Sequence, residues 1–380
     1  MFVNELQKCS FTHTHTHKSL DIPADPDRKN LAKVHQSPIN QPSNPSTISN
    51  KMNFKSLPKI ELHLHLDCSL SYEVVRKLKP EISRSDYQSS FIAPAKCTDL
   101  ADYITRAIIA IDLMQTPEQL RLVTHDLMEQ LKADNVIYAE IRFAPLQHLE
   151  QGLEPEEVMQ TVCDALNEAS EVTGVKAGLI ICTLRHYSEE QSMQTVHLAE
   201  QFMGKGAVGF DLAADEAGFP IDNHIAAFKY AKVKGIPSTA HAGEAKGPES
   251  VRETLLHFSN KRIGHGVRSI EDVNMINQLV EDKILLEVCP TSNIQTAIFE
   301  NYPQHSINEL YNKGVAICIN TDGRTISNTT LNQEYAHLHQ AFGWGMEHFK
   351  QCNLNAINYA FTDDEVKESL RVTIIEQMIN

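Results

Sequence analysis

Eight short apolar or β-branched runs recur from residue 59 onward, at Lys59–Leu66, Val136–Phe143, Val175–Leu184, Ala207–Ala213, Ile236–Ala240, Arg262–Gly264, Ile284–Val288 and Val315–Asn320. Stretches with helical periodicity separate them. Thr116, Pro117 and Gln119 supply an N-cap, a proline at the first helical position and a capping box, followed by Leu120, Val123, Leu127 and Leu131 on one helical face. Ser269 is placed to cap a helix carrying Val273, Ile276 and Leu279, and Thr362 with Glu365 to open a last helix that ends near Ile379. Strands alternating with helices build a parallel sheet, and eight of them favour closure into an α/β fold of the (β/α)8, or TIM, barrel type over an open doubly wound sheet. The interval from Asp67 to Asn135 is too long for a simple crossover, so extra helices between the first two strands are expected over the barrel mouth.

This pattern assigns residues 52–380 to a single barrel domain. The first 51 residues are of another kind: Pro23, Pro26, Pro38, Pro42 and Pro45 punctuate a tract of Ser, Asn, Gln and Asp that cannot bury enough apolar surface to offset its chain entropy. Disorder is expected there. Its Thr12-His13-Thr14-His15-Thr16-His17 run admits a metal-binding reading, but strict alternation is also what a translated CA repeat gives, which makes Met52 the favoured true start.

The charge of −15 would repel a phosphate backbone, so nucleic acid is not an expected partner. No apolar run approaches the ~20 residues of a membrane helix, and no membrane partner is expected either. Eight scattered cysteines without a C-x-x-C pair do not resemble a secreted disulfide scaffold, which places the chain by expectation in the reducing cytoplasm.

The chemistry sits at the ends of the strands. In Glu61-Leu62-His63-Leu64-His65-Leu66-Asp67, period-two alternation would put Glu61, His63, His65 and Asp67 on one face. Buried imidazoles and carboxylates are costly unless paired or metal-bound. Three later strands end likewise, in Thr239-Ala240-His241-Ala242-Gly243-Glu244, Ile263-Gly264-His265-Gly266 and Ile319-Asn320-Thr321-Asp322. The C-terminal ends of barrel strands converge on one mouth. His63, His65, His241 and Asp322 form a nitrogen and oxygen set suited to Zn2+ as a catalytic site with room for water. His265 and Asp322 are then candidates to orient or deprotonate that water, and Glu244 to donate a proton.

These motifs, with Ser56-Leu57-Pro58-Lys59 before them and Leu286-Glu287-Val288-Cys289-Pro290-Thr291-Ser292-Asn293 between them, occur in an order that resembles the adenosine deaminase family of metal-dependent aminohydrolases. The resemblance implies a (β/α)8 barrel with one zinc on His63, His65, His241 and Asp322. It implies hydrolytic deamination at C6 of a 6-aminopurine nucleoside, with Glu244 protonating purine N1, His265 and Asp322 handling the nucleophile, and Asp67 receiving the ribose hydroxyl. Non-catalytic nucleoside binding is the weaker alternative.

Three positions depart from the family pattern. Cys68 stands where the family usually has Gly, and Ala214 where it often has a Gly whose N–H meets purine N3. Gly323 replaces a second Asp, or an Asn, that hydrogen-bonds N7; water, or Arg324 or Asn328 from the same loop, are the candidate substitutes. Adenosine, converted to inosine and ammonia, is therefore the expected substrate, with deoxyadenosine, adenine or a bulkier 6-aminopurine nucleoside as the alternatives.

Overall fold

The computed structural model describes residues 53–379, so the expectations for residues 1–51 and for a start at Met52 lie outside the described residues. Eight strands run in chain order: β1 (Lys59–His65), β2 (Val136–Phe143), β3 (Lys176–Leu184), β4 (Ala207–Ala213), β5 (His241–Ala242), β6 (Arg262–His265), β7 (Leu285–Val288) and β8 (Ala316–Ile319). They pair in parallel as two four-stranded sheets, β1-β2-β3-β4 and β5-β6-β7-β8. Phe210 of β4 bridges Ser238 just before β5, and Leu64 of β1 bridges Asp322 just after β8. The sheets thus meet at both edges, and the barrel closes.

Between β1 and β2 lie α1 (Tyr72–Leu78), α2 (Arg84–Phe91), α3 (Leu100–Ile111) and α4 (Pro117–Ala133), which are the extra helices the long interval called for. The outer ring continues with α5 (Pro155–Thr173), α6 (Glu189–Phe202), α7 (Ile225–Lys234), α8 (Pro248–Phe258), α9 (Val273–Glu281) and the short α10 (Pro290–Gln295) and α11 (Ile307–Asn312). Helices α12 (Leu331–Phe342), α13 (Met346–Tyr359) and α14 (Asp364–Gln377) follow β8. The Thr116–Gln119 capping box forms as read, and Leu120, Val123, Leu127 and Leu131 are all buried. Burying each of these side chains stabilises the domain by roughly 1.5–3 kcal/mol. Among the described residues no helix is long and apolar enough to cross a membrane.

The barrel interior below the mouth is polar. Glu140, Arg142, Asp211, Arg262 and Glu287 are all buried inside it. Arg262 joins Glu140 to Glu287, and Arg142 joins Glu287 to Asp211. Unpaired, any one of these charges would be costly at this depth.

Four local expectations are corrected. The fifth strand is His241–Ala242 rather than Ile236–Ala240, because Pro237 has no N–H to continue a ladder and only isolated bonds link this segment to Phe210. Asp272, not Ser269, caps α9, since residues 267–271 first make a 3-10 turn. Asp363, not Thr362, caps α14, its carboxylate accepting from the Val366 N–H at 2.8 Å. Between Glu61 and Leu64, two residues of β1, Leu62 and His63, oppose one of β2, Glu140. This bulge resets the alternation, and Glu61 turns to Thr321 and Arg324 instead of joining His63 and His65.

Candidate active site

His63 and His65 come from the end of β1, His241 from β5, His265 from β6, and Asp322 from the residue that bridges β8 back to β1. One donor atom from each of His63, His241, His265 and Asp322 falls within 4.8 Å of all the others. His65 completes the group: its Nε2 lies 3.3 Å from Nε2 of His241 and 3.4 Å from Oδ1 of Asp322. His65 and Asp322 Oδ1 thus belong to one cluster with His63, whose Nε2 is 3.5 Å from the same oxygen. Asp67, expected on the strand, instead sits buried in a 3-10 turn over Leu66–Cys68.

The imidazole protons show what this arrangement is for. Nδ1 of His63 lies 3.0 Å from Glu287, and Nδ1 of His241 lies 3.0 Å from the Leu212 carbonyl and 3.1 Å from Asp211. Both rings therefore donate from Nδ1 and turn an Nε2 lone pair inward, toward a carboxylate that is itself an acceptor. The His63 Nε2 is buried and has no hydrogen-bond partner. Inward-facing acceptors repel one another unless a cation lies between them. Ligands about 2.0–2.1 Å from a tetrahedral ion stand roughly 3.3 Å apart, close to the separations found here. Burial lowers His65 to about 3, which keeps it neutral and able to ligate. Burial alone would raise Asp322, but the neighbouring imidazoles of His63, His265 and His65 hold it well below the usual carboxylate range. The residues fit a metal ion.

Glu244 follows β5 and is buried, with Oε1 unpartnered. Burial, reinforced by the carboxylates of Asp322 and Glu216, pushes its pKa well above the ordinary value and so favours the protonated form. Its other oxygen is 3.5 Å from Nε2 of His265. The loop that aims it is built on Glu216, a residue that sequence reasoning left without a role. The Glu216 carboxylate accepts the backbone N–H of Gly243, Glu244 and Lys246 at 2.7, 3.0 and 2.9 Å, and the Ser250 hydroxyl as well. Ser292 and Asn293, which the sequence marks only as members of a motif, reach the centre too. Ser292 Oγ donates to Asp322 Oδ2 at 2.7 Å, and Asn293 Nδ2 lies 3.0 Å from His265 Nδ1.

Strain accumulates here. Ala214, His265 and Asp322 all adopt positive φ, at 77°, 60° and 64°, a region that costs a non-glycine residue roughly 1–2 kcal/mol. The departures at 68 and 323 turn out to be one feature. A Cβ on Gly323 would lie 2.8 Å from Cβ of Cys68 and 3.2 Å from its carbonyl oxygen. Cys68 fills the space in which a side chain at 323 would start. Neither Arg324 nor Asn328 is placed to stand in for that side chain, since Arg324 is buried and locked to Glu61 and Asp134, and Asn328 is exposed. A cleft of about 590 Å³ reaches Glu244, bordered by Thr98–Ala101 at the start of α3, Asp215, Arg268 and Glu271.

A closed parallel barrel with histidines and a carboxylate gathered at the C-terminal ends of β1, β5, β6 and β8 defines a metal-dependent hydrolase of the amidohydrolase type. Known proteins narrow the class. The family model described as adenosine deaminase matches residues 58–377. An adenosine deaminase of Clostridium perfringens (strain ATCC 13124) is 35% identical over 331 residues, covering 85% of this chain and all of that one. One from Clostridium botulinum (strain Kyoto / Type A2) is 38% identical, covering 84% and 98%. Among solved structures, an adenine deaminase from Arthrobacter aurescens aligns with a TM-score of 0.77 at 25% identity, covering 84% of this chain and 98% of that one. The N6-mAMP deaminase of arabidopsis aligns with a TM-score of 0.77 at 27% identity, covering 85% and 99%. The chain belongs to the adenosine deaminase family of metal-dependent hydrolytic deaminases.

Proposed function

We propose that this protein is a zinc-dependent deaminase of adenosine and deoxyadenosine, adding water at C6 and releasing ammonia to leave inosine or deoxyinosine. The observation that carries the reading is Glu244, a buried carboxyl group with one oxygen unpartnered, set beside a ring of inward-facing metal donors. A 6-aminopurine is a poor electrophile, and a proton delivered to the adjacent ring nitrogen draws electron density from C6 as the nucleophile arrives. Zinc held by His63, His65, His241 and Asp322 would lower the pKa of a water to ~7 and so supply that nucleophile at neutral pH. Glu244 donates its proton to N1. His265 and Asp322 orient the attacking water, Ser292 steadies Asp322, Asp67 receives the ribose, and the backbone at Ala214 and Gly323 lines the purine.

Charge favours a nucleoside over a nucleotide. Among the described residues bordering the cleft, Arg268 is the only cation, and it is already committed to both oxygens of Glu271 and to the Ala245 carbonyl. The other charged groups there are Asp99, Asp215 and Glu271, which would repel a phosphate. The seven described cysteines are all free thiols, in keeping with a cytoplasmic setting. The test is ammonia release and the ultraviolet change on incubating zinc-loaded protein with adenosine, deoxyadenosine, adenine and AMP in parallel. Turnover of the two nucleosides at the highest kcat/KM supports the reading; preference for adenine or AMP overturns the substrate assignment and leaves the reaction class standing.

A further inference from the structure

Asn293 and a histidine further along the chain, His305, form with His265 a chain of hydrogen bonds with one consistent direction. The backbone N–H of Ile307 donates to Nδ1 of His305 at 3.0 Å. A backbone amide cannot reverse its polarity, so Nδ1 of His305 is an acceptor and its ring carries its proton on Nε2. That Nε2 lies 3.3 Å from Oδ1 of Asn293, which therefore accepts. Turning the amide over would set two donors against each other, so Nδ2 of Asn293 faces His265 and donates to its Nδ1 at 3.0 Å. A nitrogen that accepts carries no proton, and the proton of the neutral His265 ring is left on Nε2. This is the nitrogen that points to the reaction centre, 3.5 Å from Oε2 of Glu244. All three side chains are buried, so water does not compete for these bonds.

We propose that the chain Ile307, His305, Asn293 fixes His265 as its Nε2–H tautomer, so that this ring donates a hydrogen bond to the attacking oxygen instead of removing its proton. Asn293 and His305 are then positioning residues that act through His265. The Nε2–H holds a lone pair of the incoming water and later meets the negative charge that grows on that oxygen, a form of stabilisation that needs no reorganisation at the moment of reaction. The proton the water loses goes to a carboxylate, and Asp322, with Oδ2 bonded to Ser292, is the carboxylate at hand. The assignment of His265 to the attacking water rests on the function proposed above; the tautomer does not.

Ring nitrogen-15 NMR of histidine-labelled, zinc-loaded protein tests it without substrate, the His265 signals being those missing from His265→Gln. The expected spectrum has a protonated Nε2 and a bare Nδ1 on His265. A proton on Nδ1, or on both nitrogens, overturns the proposal. Asn293→Asp puts an acceptor against Nδ1 and should draw the proton to it, with kcat falling by about 10²- to 10⁴-fold and KM little changed, in the range that a wrong histidine tautomer costs other enzymes. An unchanged tautomer in that variant, or a moved proton with an unchanged kcat, counts against the proposal equally. If Asn293→Asp does not fold, the spectrum of the unaltered protein still decides.

Discussion

The barrel contains two buried polar layers made of the same kinds of side chain. In the lower one, Glu140, Arg262, Glu287, Arg142 and Asp211 alternate in sign, and each charge has an opposite partner. In the upper one, at the mouth, acceptors face acceptors: His63 Nε2 and Glu244 Oε1 are buried without a hydrogen bond. Buried polar groups in folded proteins are nearly always satisfied; the lower layer follows the rule except at Nε of Arg142, whose charge is nonetheless paired, and the upper layer breaks it where an ion and a substrate would supply the missing partners. The two layers also touch. Arg142 reaches from β2 to both Asp211 and Glu287, and those carboxylates hold the Nδ1 atoms of His241 and His63. The satisfied layer is the base on which the unsatisfied one is aimed.

If that division is right, changes in the upper layer remove reaction without removing the fold. Glu244→Gln keeps the shape and loses only the proton; kcat should fall by about 10³-fold with metal content and melting temperature near those of the unaltered protein. A variant that loses its metal, or keeps its rate, breaks the comparison at its strongest point. Changes in the lower layer should act in the other order. Arg142→Lys retains the charge, but one ammonium does not bridge two carboxylates as a guanidinium fork does. A stability loss of about 3 kcal/mol in denaturant is expected, together with metal binding weakened about 10- to 100-fold in chelator competition because His63 and His241 lose their fixed orientation. Weakened stability with undiminished metal affinity would show the layers to be independent.

The mouth is also where one side chain excludes another. Gly323→Asp places a Cβ against Cys68 and should cost about 1–3 kcal/mol through overpacking, with lower turnover of adenosine. Adding Cys68→Gly opens that space, and the pair together should recover at least about 1 kcal/mol of the loss, which a double-mutant cycle on stability would read directly. Simple additivity would mean that Cys68 is not what bars a side chain at 323.

The upper layer was the more legible of the two in the sequence. His63, His65, His241, Glu244, His265 and Asp322 each end an apolar run, and the barrel topology alone brings strand ends to one place. Their supporting groups carried no such mark. Glu216 works through backbone N–H groups about thirty residues away in the chain, and His305 lies in a loop whose composition resembles any other. The lower layer was hidden because Arg142 or Glu140 on a strand reads as an outward-facing charge until its partner across the barrel is known. Alternation misled at Glu61, where a bulge reverses the face, and at Asp67, where the strand has already ended. Pro237 displaced β5 for a reason visible in the sequence, a missing N–H, though an apolar run drew the boundary instead.

The smallest effect concerns strain. Ala214, His265 and Asp322 share left-handed backbone, but only the last two have side chains in the cluster. For Ala214 the strain has no such return, because its methyl group lies outside that cluster. Ala214→Gly relieves roughly 1–2 kcal/mol of native strain and returns about half of it as added freedom of the unfolded chain. A net gain of about 0.5–1 kcal/mol is expected, seen as a melting temperature higher by a degree or two, with kcat/KM for adenosine unchanged. Destabilisation by that substitution would mean that the Ala214 methyl group packs usefully at the mouth, and that strain there is confined to the two reactive residues.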